Sequence, residues 1–210
     1  NNGIEQWNQT FGSGGNYSES GHSVEQTTDG GYIITGVFGS TGTNIYPQIC
    51  VIKTDSLGTQ QWIKIFGGPS TNQGNSVQQT TDGGYIITGH TSPGHKMYLI
   101  KTDMNGDSLW TRTFGDVDSR GYSVQQTTDG GYIITGMYNS TKLGLIKTDS
   151  TGVEQWIQTF GTVSGSGNEG FDVKQTTDGG YIISGQTGLN GRDVYLIKTD
   201  SNGCTSPVIW

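Results

Sequence analysis

An all-β fold of four repeated four-stranded antiparallel sheets is what this sequence predicts, and three observations carry the prediction. The composition is the first: 210 residues hold 36 glycines and no alanine. That is more than twice the usual glycine share of about 7%, and helices favour alanine over glycine. The second is internal repetition, the signal to seek before any other. The string QTTDGGYII occurs unchanged at Gln26–Ile34, Gln79–Ile87, Gln126–Ile134 and Gln175–Ile183, at spacings of 53, 47 and 49 residues. The string IKTD ends at Asp55, Asp103, Asp149 and Asp200. The third is the run G-x-x-x-W-x-x-x-F-G, which starts at Gly3, Gly58, Gly106 and Gly152.

Each unit resolves into strands a to d. Strand a is the S-V-x-Q-T run, as at Ser76–Thr80, and strand b is G-Y-I-I-T-G, as at Gly84–Gly89. The T-D-G-G between them supplies glycine for positive φ, a hairpin signal. Strand c is Y-L-I-K-T, as at Tyr98–Thr102, and the D-x-x-G after it turns the chain into strand d, as at Leu109–Phe114. Trp and Phe four apart would also share a helix face. The Thr, Ile and Gln between them and the bounding Gly favour a strand. Continuous apolar runs such as Tyr-Ile-Ile suit a sheet covered on both faces, as a propeller blade is.

The arrangement of units predicts a four-bladed β-propeller. The chain opens on a strand d, Gly3–Gly12, with no a–b–c before it, and its last a–b–c, Asp172–Asp200, lacks a matching d. The N-terminal strand is therefore expected to complete the last blade and close the ring, removing free sheet edges. Completion of a neighbouring copy's blade, or membership of a larger ring, are the alternatives. The expected layout is one domain over residues 1–203, with blades at about 22–66, 75–114, 122–160 and 171–203 plus 3–12. Residues 204–210 form a tail outside the repeat.

The repeat D-G-G-Y-I-I-T-G followed by Y-L-I-K-T-D-x-x-G-x-x-x-W-x-x-x-F-G resembles a β-propeller repeat of secreted and cell-surface proteins of bacteria and archaea. The resemblance runs from Gly3 to Gly203. It implies an extracellular or cell-surface location and an adhesive or matrix-type context, and it brings no catalytic residue set. The c–d turns also resemble the Asp-box of sialidase-type propellers. The order here, Thr54-Asp55 with Gly58 and Trp62, departs from that motif, so shared hairpin physics is the better account.

In such a fold the a–b and c–d turns share one face, and the b–c and d–a loops share the other. The first set hardly varies between units. The second differs in length and side chains every time: Val37–Ile49, His90–Met97, Met137–Leu143 and Gln186–Val194 for b–c, and Ser13–His22, Gly68–Asn75, Asp116–Tyr122 and Thr162–Phe171 for d–a. Loops on a rigid scaffold carry binding residues, though loops also drift where selection is slack. The candidate ligand-binding residues are Tyr17, Phe38, Tyr46, His90, Tyr122, Tyr138 and Asn190. Aromatic faces with amide and hydroxyl groups suit sugars and equally suit a protein surface. Tyr122 and Phe171, next to strand a, also read as plugs between blades.

Other chemistry is weaker. The recurrent Asp29, Asp82, Asp129 and Asp178, and Asp55, Asp103, Asp149 and Asp200, read as turn-capping residues. Asp103–Asp107 lacks the downstream Glu of a calcium loop. His22, His90 and His95 come with no ligand cluster in sequence, so neither a metal nor any other cofactor is expected. Gln26, Gln79, Gln126 and Gln175 are expected to bridge blades by hydrogen bonds. Cys50 and Cys204, the only cysteines, are a candidate disulfide, within one chain or between two. Asn8, Asn16 and Asn139 head N-x-S/T sequons. A net charge of −7 with three arginines argues against nucleic acid, and no apolar run approaches the roughly 20 residues of a membrane-spanning helix. The sequence therefore suggests a non-enzymatic adhesion, matrix or self-assembling module, with other surface proteins, copies of itself or glycans as partners. A multivalent lectin is the alternative, and a glycoside hydrolase acting through loop acids a weaker one.

Overall fold

A computed structural model describes residues 3–12, 18–39, 46–161, 167–188 and 191–205. It is built of β-strands, and no helix occurs among these residues. The first sheet contains β1 (Ser20–Gln26), β2 (Tyr32–Phe38), β3 (Gln48–Thr54) and β4 (Gln60–Phe66). The second contains β5 (Asn72–Gln79), β6 (Tyr85–Thr91), β7 (Lys96–Thr102) and β8 (Ser108–Phe114). The third contains β9 (Arg120–Gln126), β10 (Tyr132–Tyr138), β11 (Lys142–Thr148) and β12 (Glu154–Phe160). The fourth contains β13 (Glu169–Gln175), β14 (Tyr181–Thr187) and β15 (Asp193–Thr199). Within each sheet the strands lie in chain order and pair antiparallel.

The hairpins that make these sheets are held by repeated polar contacts. In the first a–b turn, Gly30 adopts φ +83°, and Asp29 accepts from the Gly31 N–H at 3.0 Å and from the Thr27 hydroxyl. Lys53 of β3 reaches the same carboxylate at 2.8 Å and also donates to the Thr54 carbonyl. Its sisters Lys101 and Lys147 do the same with Asp82 and Asp129, and all three ammonium groups are buried. A buried cation is tolerable only when paired and hydrogen-bonded. Here each one ties the a–b turn to strand c.

Three junctions between successive sheets form the core. At the first, Ile33, Ile49 and Val51 pack on Val77, Tyr85, Ile87 and Ile100. At the second, Ile86, Met97 and Leu99 meet Val124, Tyr132, Ile134 and Ile146. At the third, Ile133, Leu143 and Leu145 meet Val173, Tyr181, Ile183 and Ile197. The strand-d tryptophan seals each one against the next sheet's tyrosine. Trp62–Tyr85, Trp110–Tyr132 and Trp156–Tyr181 all have ring centroids 5.8 Å apart. The innermost strands are also linked: Gln126 N–H donates to Gln78 and Thr81 N–H to Gln126, with equivalent bonds on either side. Gln79, Gln126 and Gln175 thus bridge neighbouring sheets.

The structure departs from the expected ring at its ends. Among the described residues the fourth sheet has three strands, and segment 3–12 is paired with no strand. That segment packs on the first sheet, where Trp7 stands to Tyr32 and Gly58 as Trp62, Trp110 and Trp156 stand to the tyrosine and glycine of the sheet after theirs. Trp7 sits 5.7 Å from Tyr32 and against Gly58, and Phe11 packs with Phe38, Cys50 and Ile52. Among the described residues no packing like that of the three junctions joins the fourth sheet to the first, although Asp172 and Lys174 of β13 line one cavity with Ser23 and Glu25 of β1.

Candidate binding face at the strand bulges

Every inner strand carries one residue too many. The register of β1 on β2 skips between Gly21 and Ser23, that of β5 on β6 between Gly74 and Ser76, and that of β13 on β14 between Gly170 and Asp172. In the third sheet Gly121 and Ser123 face the adjacent Gly136 and Thr135. The residues outside the ladder are therefore His22, Asn75, Tyr122 and Phe171. A bulge re-aims a side chain and bends its strand. The bend presses the inner strand onto its partner, and this accounts for the glycines there. A Cβ at Gly36, Gly89, Gly136 or Gly185 would run into the carbonyl of Ser20, Gln73, Arg120 or Glu169.

The four extra residues differ in every sheet, while the glycine before them is constant. Each of the first three reaches the next sheet. His22 Nδ1 lies 2.8 Å from the Gly74 carbonyl, Asn75 donates to the Gly121 carbonyl at 2.7 Å, and the Tyr122 ring lies 5.9 Å from Phe171. Phe171, the last, is 47% exposed. The flanking loops meet on this same side. The loop after β8 donates from Asp118 N–H to the Gly94 carbonyl and accepts from Ser140 N–H at the Asp118 carbonyl. The Asn168 amide donates to the Thr141 carbonyl at 2.7 Å. Among the described residues, the loops at Gly94, Asp118, Ser140–Thr141 and Asn168 are thus joined to one another.

His90, at the end of β6, is buried there, and its Nδ1 has no hydrogen-bond partner. Its ring meets His95 at 5.2 Å. Burial pushes its pKa down to about 4, and the cationic neighbours Arg120 and His95 act in the same direction. Arg120 is paired with Asp118 at 2.9 Å. The Tyr122 hydroxyl is raised above its usual range by burial and then by Glu169, against an opposing effect of Arg120. The face thus combines a neutral imidazole, an Arg–Asp pair and two aromatic rings. Among the described residues no cluster of three or more His, Cys, Asp or Glu is placed to hold a metal.

The expected site residues separate by position. Strands b run further than their sequence boundaries suggested, so Phe38, His90 and Tyr138 lie on β2, β6 and β10 rather than in loops. Phe38 is buried and lines a cavity of about 250 Å³ with Phe11, Ile34, Val37 and Cys50. Tyr138 packs on the second junction. Tyr46 is exposed in the loop before β3, away from the Tyr122–Phe171 pair in sequence. Tyr17, Asn190 and Asn16 lie outside the described residues. Asn8 is exposed on the N-terminal segment, and the side-chain Oδ1 of Asn139 accepts from Asp116 N–H at 3.0 Å. Both cysteines are free thiols: Cys204 is exposed, whereas Cys50 is buried and its pKa is raised by that burial to about 11. Sequence reasoning missed Arg120 and the bulge itself. The available signal was the constant G-x-S/D spacing with a different residue in its centre each time. No family model and no curated protein matches the chain.

Proposed function

We propose that the chain is a non-enzymatic β-propeller module, secreted or displayed at a cell surface, that serves adhesion, matrix or assembly through its variable-loop face. One observation carries this reading. The side chains that differ between units are those freed by the bulges and gathered beside the loops, while the opposite face repeats the same capped turns. A scaffold that holds one face constant and varies the other has the layout of a binding protein. In this reading segment 5–11 completes the three-stranded fourth sheet and closes the ring, and within one chain that gives the four-bladed propeller the sequence suggests.

The Tyr122–Phe171 pair favours a second reading, a carbohydrate-binding face. Two exposed or half-buried rings flanked by Arg120 and Glu169 offer a stacking surface with polar groups at its rim. A glycan array probed with the purified chain separates the two. Hits within one sugar class that disappear in Phe171→Ala and Tyr122→Ala establish the lectin reading. An array without hits leaves protein adhesion as the function of this face.

A further inference from the structure

We infer that the groove between neighbouring sheets, on the face of the a–b and c–d turns, is a saccharide-binding subsite built alike at each of the three junctions. It lies away from the variable loops and stands independently of the reading given to them.

The first junction shows the groove. A cavity of about 570 Å³ is lined by Thr28, Asp29, Lys53 and Trp62 of the first sheet and by Gln79 and Tyr85 of the second. It holds a polar group that the fold does not use. Tyr85 is only 2% exposed, yet among the described residues nothing hydrogen-bonds its hydroxyl. Tyr132 and Tyr181 repeat this at the next two junctions, equally buried and with equally unpartnered hydroxyls among the described residues. Phenylalanine would pack as well there without leaving a hydroxyl unpaired. Three copies of one such hydroxyl point to a partner from outside the chain.

The chemistry beside the hydroxyl indicates which partner. Burial, and then the charge of Asp29, Asp82 or Asp129 on the preceding sheet, raises all three tyrosines above their usual range, Tyr85 and Tyr132 to about 12. Each phenol is therefore protonated and can donate. Each carboxylate is only partly used. Asp29 Oδ1 accepts from Thr27, Gly31 and Lys53, whereas among the described residues Oδ2 accepts from Lys53 alone, at 2.8 Å. Asp82 and Asp129 are bonded in the same way. A phenol donor beside a half-free carboxylate acceptor suits an alcohol, which accepts from one and donates to the other. The lysine neutralises the carboxylate, which favours an uncharged ligand. Half-buried Trp62, held 5.8 Å from Tyr85, adds an apolar wall for the C–H face of a sugar ring. Trp110 and Trp156 stand at the same distance from Tyr132 and Tyr181.

Repetition within the chain supports a contact role. Thr28, Thr81, Thr128 and Thr177 are exposed, and among the described residues only the backbone N–H of the first three is bonded, to a glutamine of the next sheet. Nothing in the turn demands this side chain, yet it is the same in all four units. The exposed pairs inside the c–d turns do change: Ser56-Leu57, Met104-Asn105, Ser150-Thr151 and Ser201-Asn202. Met104 and Asn105 border the first groove, so its floor is constant and its rim is not. The second junction also has Leu109 where the first has Gln61. Repeated weak subsites on one rigid body give avidity for a polymeric glycan.

Nuclear magnetic resonance on the isotope-labelled chain tests this, with glucose, galactose, mannose and N-acetylglucosamine as probes. The indole N–H signals of Trp62, Trp110 and Trp156 should shift together with at least one of them. Tyr85→Phe should abolish the shift at Trp62 and keep the other two. Tyr132→Phe and Tyr181→Phe should do the same at Trp110 and Trp156. Each variant should unfold at the parent's temperature or above it, because the lost hydroxyl bonds to no protein group. Indole signals that stay still with all four sugars overturn the proposal, as do shifts that survive the matching substitution. Lowered unfolding temperatures in all three variants overturn it too, since the hydroxyl would then serve the fold. Phe171→Ala should leave the indole shifts unchanged. Array hits lost in that variant, with still indole signals, place sugar binding on the variable face and overturn this inference alone.

Discussion

Glycine opposite the bulge is the residue on which each sheet depends. Gly136 lies across from Gly121, and its missing side chain makes room for the Arg120 carbonyl. Gly136→Ala forces that backbone apart in a packed sheet, and overpacking of this kind costs about 1–3 kcal/mol. Tyr122→Ala, one residue from the same contact, loses its ring pairing with Phe171, worth about 1 kcal/mol beyond the apolar area its half-buried ring covers. Urea unfolding should therefore show a loss of at least about 1 kcal/mol for Gly136→Ala, although it adds a single methyl group. His90 acts at the same scale through its protonation. Its folded pKa of about 4 lies below the ordinary histidine value of 6.5, so the unfolded chain binds a proton that the folded chain refuses. Stability is thus lost as pH falls from about 6.5 to about 4. Arg120, His95 and His22 act on it to lower its pKa, and Asp118 acts to raise it.

Among the elements, strand d supplies the tryptophan that seals each junction between neighbouring sheets. Trp110 on β8 covers Tyr132 and fits over Gly152 of the next sheet. Trp110→Ala should cost about 3 kcal/mol, in the range for large aromatic truncations. Trp7→Ala should cost clearly less, because Trp7 is 40% exposed on an unpaired segment. Denaturant titrations followed by circular dichroism give both values. The strands were legible in the sequence because four copies of each signal averaged out local ambiguity. QTTDGGYII gave the a–b hairpin, and the Trp-to-Phe run gave strand d. Their ends were less legible. Phe38, His90 and Tyr138 looked like loop residues, but strands b continue through them to meet the loop of the adjacent sheet. The bulge was hidden because it is a property of pairing, which a single strand does not display. The Lys53–Asp29 pair and its sisters were hidden likewise, since strand c and the a–b turn carry no sequence cue that they touch.

For the whole molecule, acid sensitivity follows from the turns. Asp29 is held at about 2 by Lys53, Thr27 and the Gly31 N–H. For Asp82 and Asp129 burial pulls upward, but hydrogen bonds from Lys101 and Thr80, and from Lys147 and Thr127, outweigh it and bring both to about 2. Asp178 is lowered as well, first by Lys198. These depressed carboxylates contribute stability above about 4, and it is lost as pH falls toward 2. Unfolding midpoints measured by tryptophan fluorescence should therefore decline in two stages below neutrality. His90→Gln should remove only the upper stage, and Asp129→Asn should reduce only the lower one.

The bulged positions have a consequence for how such a protein diversifies. A residue outside the ladder contributes neither to register nor to the alternation of the sheet, so its identity is not dictated by strand pairing. Histidine, asparagine, tyrosine and phenylalanine already occupy the four copies of one slot without altering the strands around them. The architecture therefore works like movable type: the frame is cast once, and the characters along one row are free to be reset for a new reader.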